Sequence, residues 1–186
     1  MSVKNIEKFK QLLVYIVNNY NNNDLYETKL WKLIYFCDAD YFEKNRKTIT
    51  GINYYKNTYG PTPDKNVVDL AIKKAKDFIT IDKYVKNGNK KSLYRPKKMC
   101  DLNFLTADEI EEVRKVCEKY FRLSTNDIII LAHKDTPYLG SKMGGVINFK
   151  LVDYRDEEYP ENEDCDNYQG EISDEAIKKL FDLCLK

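Results

Sequence analysis

The side chains with the widest chemical repertoire are sparse in this chain. His133 is the one histidine, and the five cysteines, Cys37, Cys100, Cys117, Cys165 and Cys184, form no C-x-x-C pair. A single imidazole excludes paired-histidine metal sites and leaves at most one imidazole for acid–base work. No nucleophile-elbow motif surrounds any serine or cysteine. His133 is instead expected at the end of a short helix, where a cation or donor meets free carbonyls. Asp38 and Asp40 lie two apart, a spacing that does not put helical side chains on one face, so they do not form an acid–base pair. The run Gly140-Ser141-Lys142-Met143-Gly144-Gly145 has phosphate-friendly residues, but it lacks the Walker spacing and precedes a predicted strand instead of opening a helix. It reads as a flexible loop. These residues point to no catalytic centre, no cofactor and no metal, and so to a binding module and not an enzyme.

Charge is balanced in sum and lopsided in place. The formal net charge is +1. Residues 83–98 nevertheless carry Lys83, Lys86, Lys90, Lys91, Arg95, Lys97 and Lys98 with no acid, and residues 153–175 carry eleven acids against Arg155 alone. The basic block has two readings. One is a nucleic-acid-associated regulator that gains from phosphate neutralisation. The other is a solvated hairpin edge whose lysines discourage strand pairing. The acidic block could screen the basic one, mimic a polyanion, or be a solvated loop.

The elements that must position these residues follow from periodicity. The 186 residues, 42% hydrophobic and 33% charged, suit a single domain over 1–186 with its own core. No apolar run approaches the roughly 20 residues that span a bilayer. No leader pattern opens the chain, and an odd set of unpaired cysteines fits reduced thiols, so a cytoplasmic location away from membranes is expected. Ile6, Phe9, Leu12, Leu13, Ile16, Val17 and Tyr20 recur at helical spacing. A second helix from about residue 27 should bury Leu30, Leu33, Ile34, Cys37 and Tyr41 and turn Lys29, Lys32, Asp40 and Glu43 to solvent. Residues 48–59 read as strand or loop, and Pro61 and Pro63 forbid helix until Asp64.

A third helix runs through Val67, Leu70, Ala71 and Phe78, and a β-hairpin near 79–96 turns at Asn87-Gly88. Thr106 and Ser124 start two more helices, of which Pro137 ends the second. Residues 146–152 read as a strand, 153–169 as an acidic loop and 173–185 as a last helix. The predicted class is α+β, mostly α-helical, with about six helices and a small antiparallel sheet.

Three segments carry a more specific signal: Lys29-Leu30-Trp31-Lys32-Leu33-Ile34-Tyr35-Phe36-Cys37-Asp38, then Thr50-Gly51-Ile52-Asn53-Tyr54, then Tyr59-Gly60-Pro61-Thr62-Pro63. With Leu131-Ala132-His133-Lys134-Asp135-Thr136-Pro137-Tyr138 downstream, their order and spacing resemble the SocA-like antitoxin family, or Panacea domain, over roughly residues 8–150. Cys37 stands where that family usually has a small residue, and the acidic stretch after Val152 has no counterpart in it. The resemblance implies an antitoxin of a bacterial or prophage toxin–antitoxin pair. Such a protein would bind a toxin encoded by an adjacent gene, or present it to a protease, without enzymatic activity.

In physical terms, Gly60 permits positive φ and Pro61 stiffens the chain, so the Tyr-Gly-Pro corner could present Tyr54 and Tyr59 to a partner. Equally, those rings could pack inward against Trp31 and Phe36. Trp31 and Tyr35 share a helix face flanked by Lys29 and Lys32. If exposed, that face with Tyr54, Tyr59, Gly60 and Pro61 is the expected docking stripe.

Overall fold

The computed structural model describes residues 2–20, 24–86 and 88–155. Six α-helices, one 3-10 helix and two separate two-stranded antiparallel sheets make up these residues, an α+β fold that is mostly helical. Helix α1 (Val3–Asn19) starts where the Ser2 side chain accepts from the Asn5 N–H, and it buries Phe9, Leu12, Leu13, Ile16 and Val17 on one face. Helix α2 (Glu27–Asn45) is different, because buried residues run all round it. That is the signature of a helix in the middle of a core, and α1, α4 and α5 all pack against it.

Strands β1 (Tyr54–Asn57) and β2 (Gly60–Pro63) form a short hairpin with Tyr54 opposite Pro63 and Asn57 opposite Gly60. The Asp64 carboxylate then caps α3 (Lys65–Ala75) by accepting from the Asn66 and Val67 amides. Strands β3 (Ile79–Lys86) and β4 (Asn89–Pro96) form the expected hairpin over 79–96, with Ile79 opposite Pro96 and Lys86 opposite Asn89. Capping boxes at Thr106/Glu109 and Ser124/Asp127 open α4 (Ala107–Tyr120) and α5 (Thr125–Lys134), each satisfying two of the amides a helix start leaves unpaired. Pro137 does not simply end α5. It sits in the first turn of α6 (Thr136–Leu139), where its missing N–H costs nothing.

Two expectations need correction, and one strand was not foreseen. The strand over 146–152 is a single bridge from Val146 to Tyr55, followed by a 3-10 helix, Phe149–Tyr154. Asn148 caps that helix through the Lys150 N–H, a local side-chain bond that competes with extended structure. Strand β2 forms in a Pro-containing run that carried no strand signal. The 140–145 glycine loop is tied to β1 by backbone bonds at Lys56: the Gly144 N–H donates to its carbonyl at 2.8 Å and its own N–H donates to the Gly145 carbonyl at 3.0 Å. The expected acidic loop beyond residue 155 and the C-terminal helix over 173–185 lie outside the described residues.

Among the described residues no helix is long and apolar enough to cross a membrane. Cys37, Cys100 and Cys117 are free and buried.

Candidate functional site

The motif residues converge where α2, the β1–β2 hairpin and the α5–α6 junction meet. Lys32, Tyr35 and Tyr54 are buried there, Gly60 and Pro61 are buried beside them, and Lys29 and Trp31 are buried on other faces of α2. The docking stripe depended on these side chains being exposed. Of that set only Tyr59, 75% exposed, faces solvent.

The two lysines turn inward because the fold supplies acceptors. Lys29 Nζ donates to the Tyr20 hydroxyl at 2.7 Å and to the Phe121 and Leu123 carbonyls just past the end of α4, a favourable place for a cation. The Tyr20 hydroxyl in turn donates to Asp24 at 2.6 Å. Lys32 Nζ donates to the Pro61 carbonyl at 2.7 Å, and burial pushes its pKa down to about 7. An amine in so dry a site disfavours its own charge.

Gly60 lies between this lysine and His133. A Cβ on it would fall 2.9 Å from Lys32 Cε and 3.3 Å from His133 Cε1, and its φ of +87° is one that side chains rarely adopt. His133 sits in the last turn of α5, as its position before Pro137 suggested. It places Nδ1 2.7 Å from the Ile129 carbonyl and Nε2 3.0 Å from the Thr58 carbonyl. Both ring nitrogens thus face the main chain, and the imidazole bridges α5 to the hairpin tip. Tyr138 packs edge-on against it at 4.9 Å and donates to the Asn57 carbonyl at 2.9 Å.

One turn along α2, Tyr35 donates to Asp135, which is fully buried. Arg155 closes the other side, with Nε donating to Asp135 at 2.7 Å and Nη1 to Asp40 and Glu43 at 2.8 Å each. Asp135 and Asp40 are thereby joined to one cation, and burial still raises Asp40 above the ordinary carboxylate range. A turn away, Asp38 accepts from the Thr50 N–H at 2.8 Å, from the Thr50 hydroxyl and from the Tyr54 hydroxyl at 2.7 Å. Burial pushes Asp38 up to about 6 against those bonds. Asp38 and Asp40 therefore serve separate networks, as their spacing required. Tyr54 also meets Tyr35 at 5.5 Å and Phe149 at 5.6 Å between ring centres, which settles it in the core. Trp31 does the same against Phe9 and Tyr94.

Asp135 lies in the downstream motif segment, but its pairing with Tyr35, and that of Arg155 with Asp40, carry no local sequence signal, because those partners lie a hundred or more residues away on α2. Among the described residues no group of three or more His, Cys, Asp or Glu is placed to hold a metal.

The basic hairpin divides its charge. Lys83 and Lys90 lie on one face and Lys91 on the other by strand register, and all three are exposed. Lys86 pairs with Asn89 at the end of β3. Arg95 donates to Asp82 at 2.7 Å. Lys97 donates to the Lys76 carbonyl at 3.1 Å, and Lys98 lies 5.4 Å over the Phe78 ring. The described side chains among these cations do not share one face.

Residues 30–138 match the family model described as antitoxin SocA-like, Panacea domain. Neither the curated proteins nor the solved structures yield a match.

Proposed function

The chain belongs to the SocA-like antitoxin family with the Panacea domain, and from that premise we propose that it is the antitoxin of a toxin–antitoxin pair, neutralising a protein toxin by binding it directly. The match over residues 30–138 carries this reading. The geometry supports a binding role, because the titratable groups of the motif are spent on one another and on main-chain carbonyls. His133 addresses two carbonyls, Asp38 holds Thr50 and Tyr54, and Asp135 is closed between Tyr35 and Arg155.

The toxin is expected from a gene beside this one, and presentation to a protease is the variant mechanism. Co-expression tests both. Growth should be restored when this protein accompanies the toxic product of a neighbouring gene, and the two should co-purify at undiminished toxin level. Rescue accompanied by loss of the toxin would point to proteolysis, whereas no rescue from any neighbouring product would overturn the antitoxin reading.

A further inference from the structure

With the motif helix consumed by the core, a different surface faces outward at the same corner. The segments 54–63 and 136–152 contain no acidic residue, and they pair with each other through the Tyr55–Val146 bridge. The carboxylates that flank them in sequence are engaged. Asp64 caps α3, Asp135 is buried against Tyr35 and Arg155, and Asp153 pairs with Arg46. Lys142 and Lys150 are exposed cations, whereas Lys56 Nζ is turned to the Leu139 carbonyl and the Tyr138 ring. Around them stand apolar side chains turned to water: Tyr59 at 75%, Met143 at 65% and Val146 at 50% exposure. Large exposed apolar groups gathered with charge of a single sign mark an interaction surface.

The backbone adds a direction. The Lys56 N–H donates to the Gly145 carbonyl and the Ile147 N–H donates to the Tyr54 carbonyl. Tyr55 and Val146, between these bonds, are therefore a non-hydrogen-bonded antiparallel pair, and the N–H and C=O of Val146 point away from β1. Among the described residues neither group has a partner. An open donor and acceptor at a sheet edge is what an added strand uses.

We propose that the edge at Val146, with Lys142, Lys150, Tyr59 and Met143 on the same surface, docks an extended segment of a partner protein in which acidic and apolar side chains alternate. Backbone bonds at Val146 set the segment's course, its apolar side chains cover Met143 and Tyr59, and its carboxylates meet the lysines. That the partner is the toxin rests on the antitoxin reading; the surface itself does not.

A fluorescein-labelled octapeptide of alternating Glu and Val, titrated with the full chain and read by anisotropy, separates the two. The peptide should bind the wild-type chain, at least tenfold more weakly with Lys142→Glu/Met143→Asp, and more weakly as salt is raised. Both substitutions are at exposed positions, so folding is not at stake, and Val146→Pro, which removes the edge N–H, should weaken binding without altering the charge. No binding to the wild type, equal binding to Lys142→Glu/Met143→Asp, or equal binding of a Lys–Val octapeptide would each overturn the proposal. So would self-association abolished by the same substitutions, which would make a second copy the occupant. A chain that binds the peptide but rescues no cell keeps the surface and loses the antitoxin role.

Discussion

Lys29 and Lys32 sit three residues apart on α2, and both are buried, yet their chemistry differs. Burial lowers the pKa of both, but Lys29 has three oxygen partners to share its protons, while Lys32 has the Pro61 carbonyl and is pushed down to about 7. Because the folded-state value lies below the ordinary lysine range near 10.4, the unfolded chain holds a proton between about pH 7 and 10 that the folded chain has released. Stability from this group therefore rises with pH across that window. A drop of more than three pKa units corresponds to at most about 5 kcal/mol. Lys32→Met should remove that slope, seen as urea-unfolding curves that lose part of their pH dependence between pH 7 and 10 relative to wild type. The buried thiols of Cys37 and Cys117, pushed up by burial, tilt both proteins the other way equally, so the difference isolates Lys32. Parallel pH profiles for the two proteins would show that Lys32 stays charged.

The Tyr-Gly-Pro corner works at the scale of elements. Gly60 lets the β1–β2 hairpin press against α2 and α5 at once, and a methyl group there meets both a strained φ and the Lys32 side chain at 2.9 Å. Gly60→Ala should cost about 1–3 kcal/mol. Gly88→Ala serves as its control, since Gly88 has a comparable φ of +76° but nothing within 4 Å of the added Cβ. Chemical denaturation of the two variants should place Gly60→Ala below Gly88→Ala, and equal losses would mean that the crowding at Gly60 is relieved without cost. The corner was legible as a stiff turn from Gly and Pro alone. Its second strand was not, because Gly60–Pro63 has too few β-favouring residues to announce pairing. The hairpin over 79–96 had both alternation and an Asn-Gly turn, and its extent was read correctly.

Over the whole molecule, Arg155 ties the end of the described chain back to α2 and to Asp135, spanning more than a hundred residues to Asp40. Asp135 is completely buried and Arg155 nearly so, so removing the cation leaves an uncompensated charge inside. Arg155→Met should destabilise by about 3–5 kcal/mol, whereas Tyr35→Phe, which removes one hydrogen bond to the same carboxylate, should cost nearer 1 kcal/mol. Thermal unfolding of both variants distinguishes them, and a neutral Arg155→Met would remove this network from the forces that hold the 3-10 helix to the core.

Periodicity, capping residues and the Asn-Gly turn by themselves determined helices α1 to α5, the class and the long hairpin, and the order and spacing of the motif segments carried the family resemblance, because each of those signals survives without knowledge of spatial neighbours. Which way the motif side chains point was decided only by the tertiary structure. Trp31, Tyr35 and Tyr54 have apolar bodies that fit core and interface equally well, and they went inward once α1, α4, α5 and the hairpin enclosed α2 on every side. Lys29 and Lys32 followed because distant carbonyls were waiting for their ammonium groups. Tyr59 remained outside because it lies at the hairpin tip, beyond the reach of that enclosure.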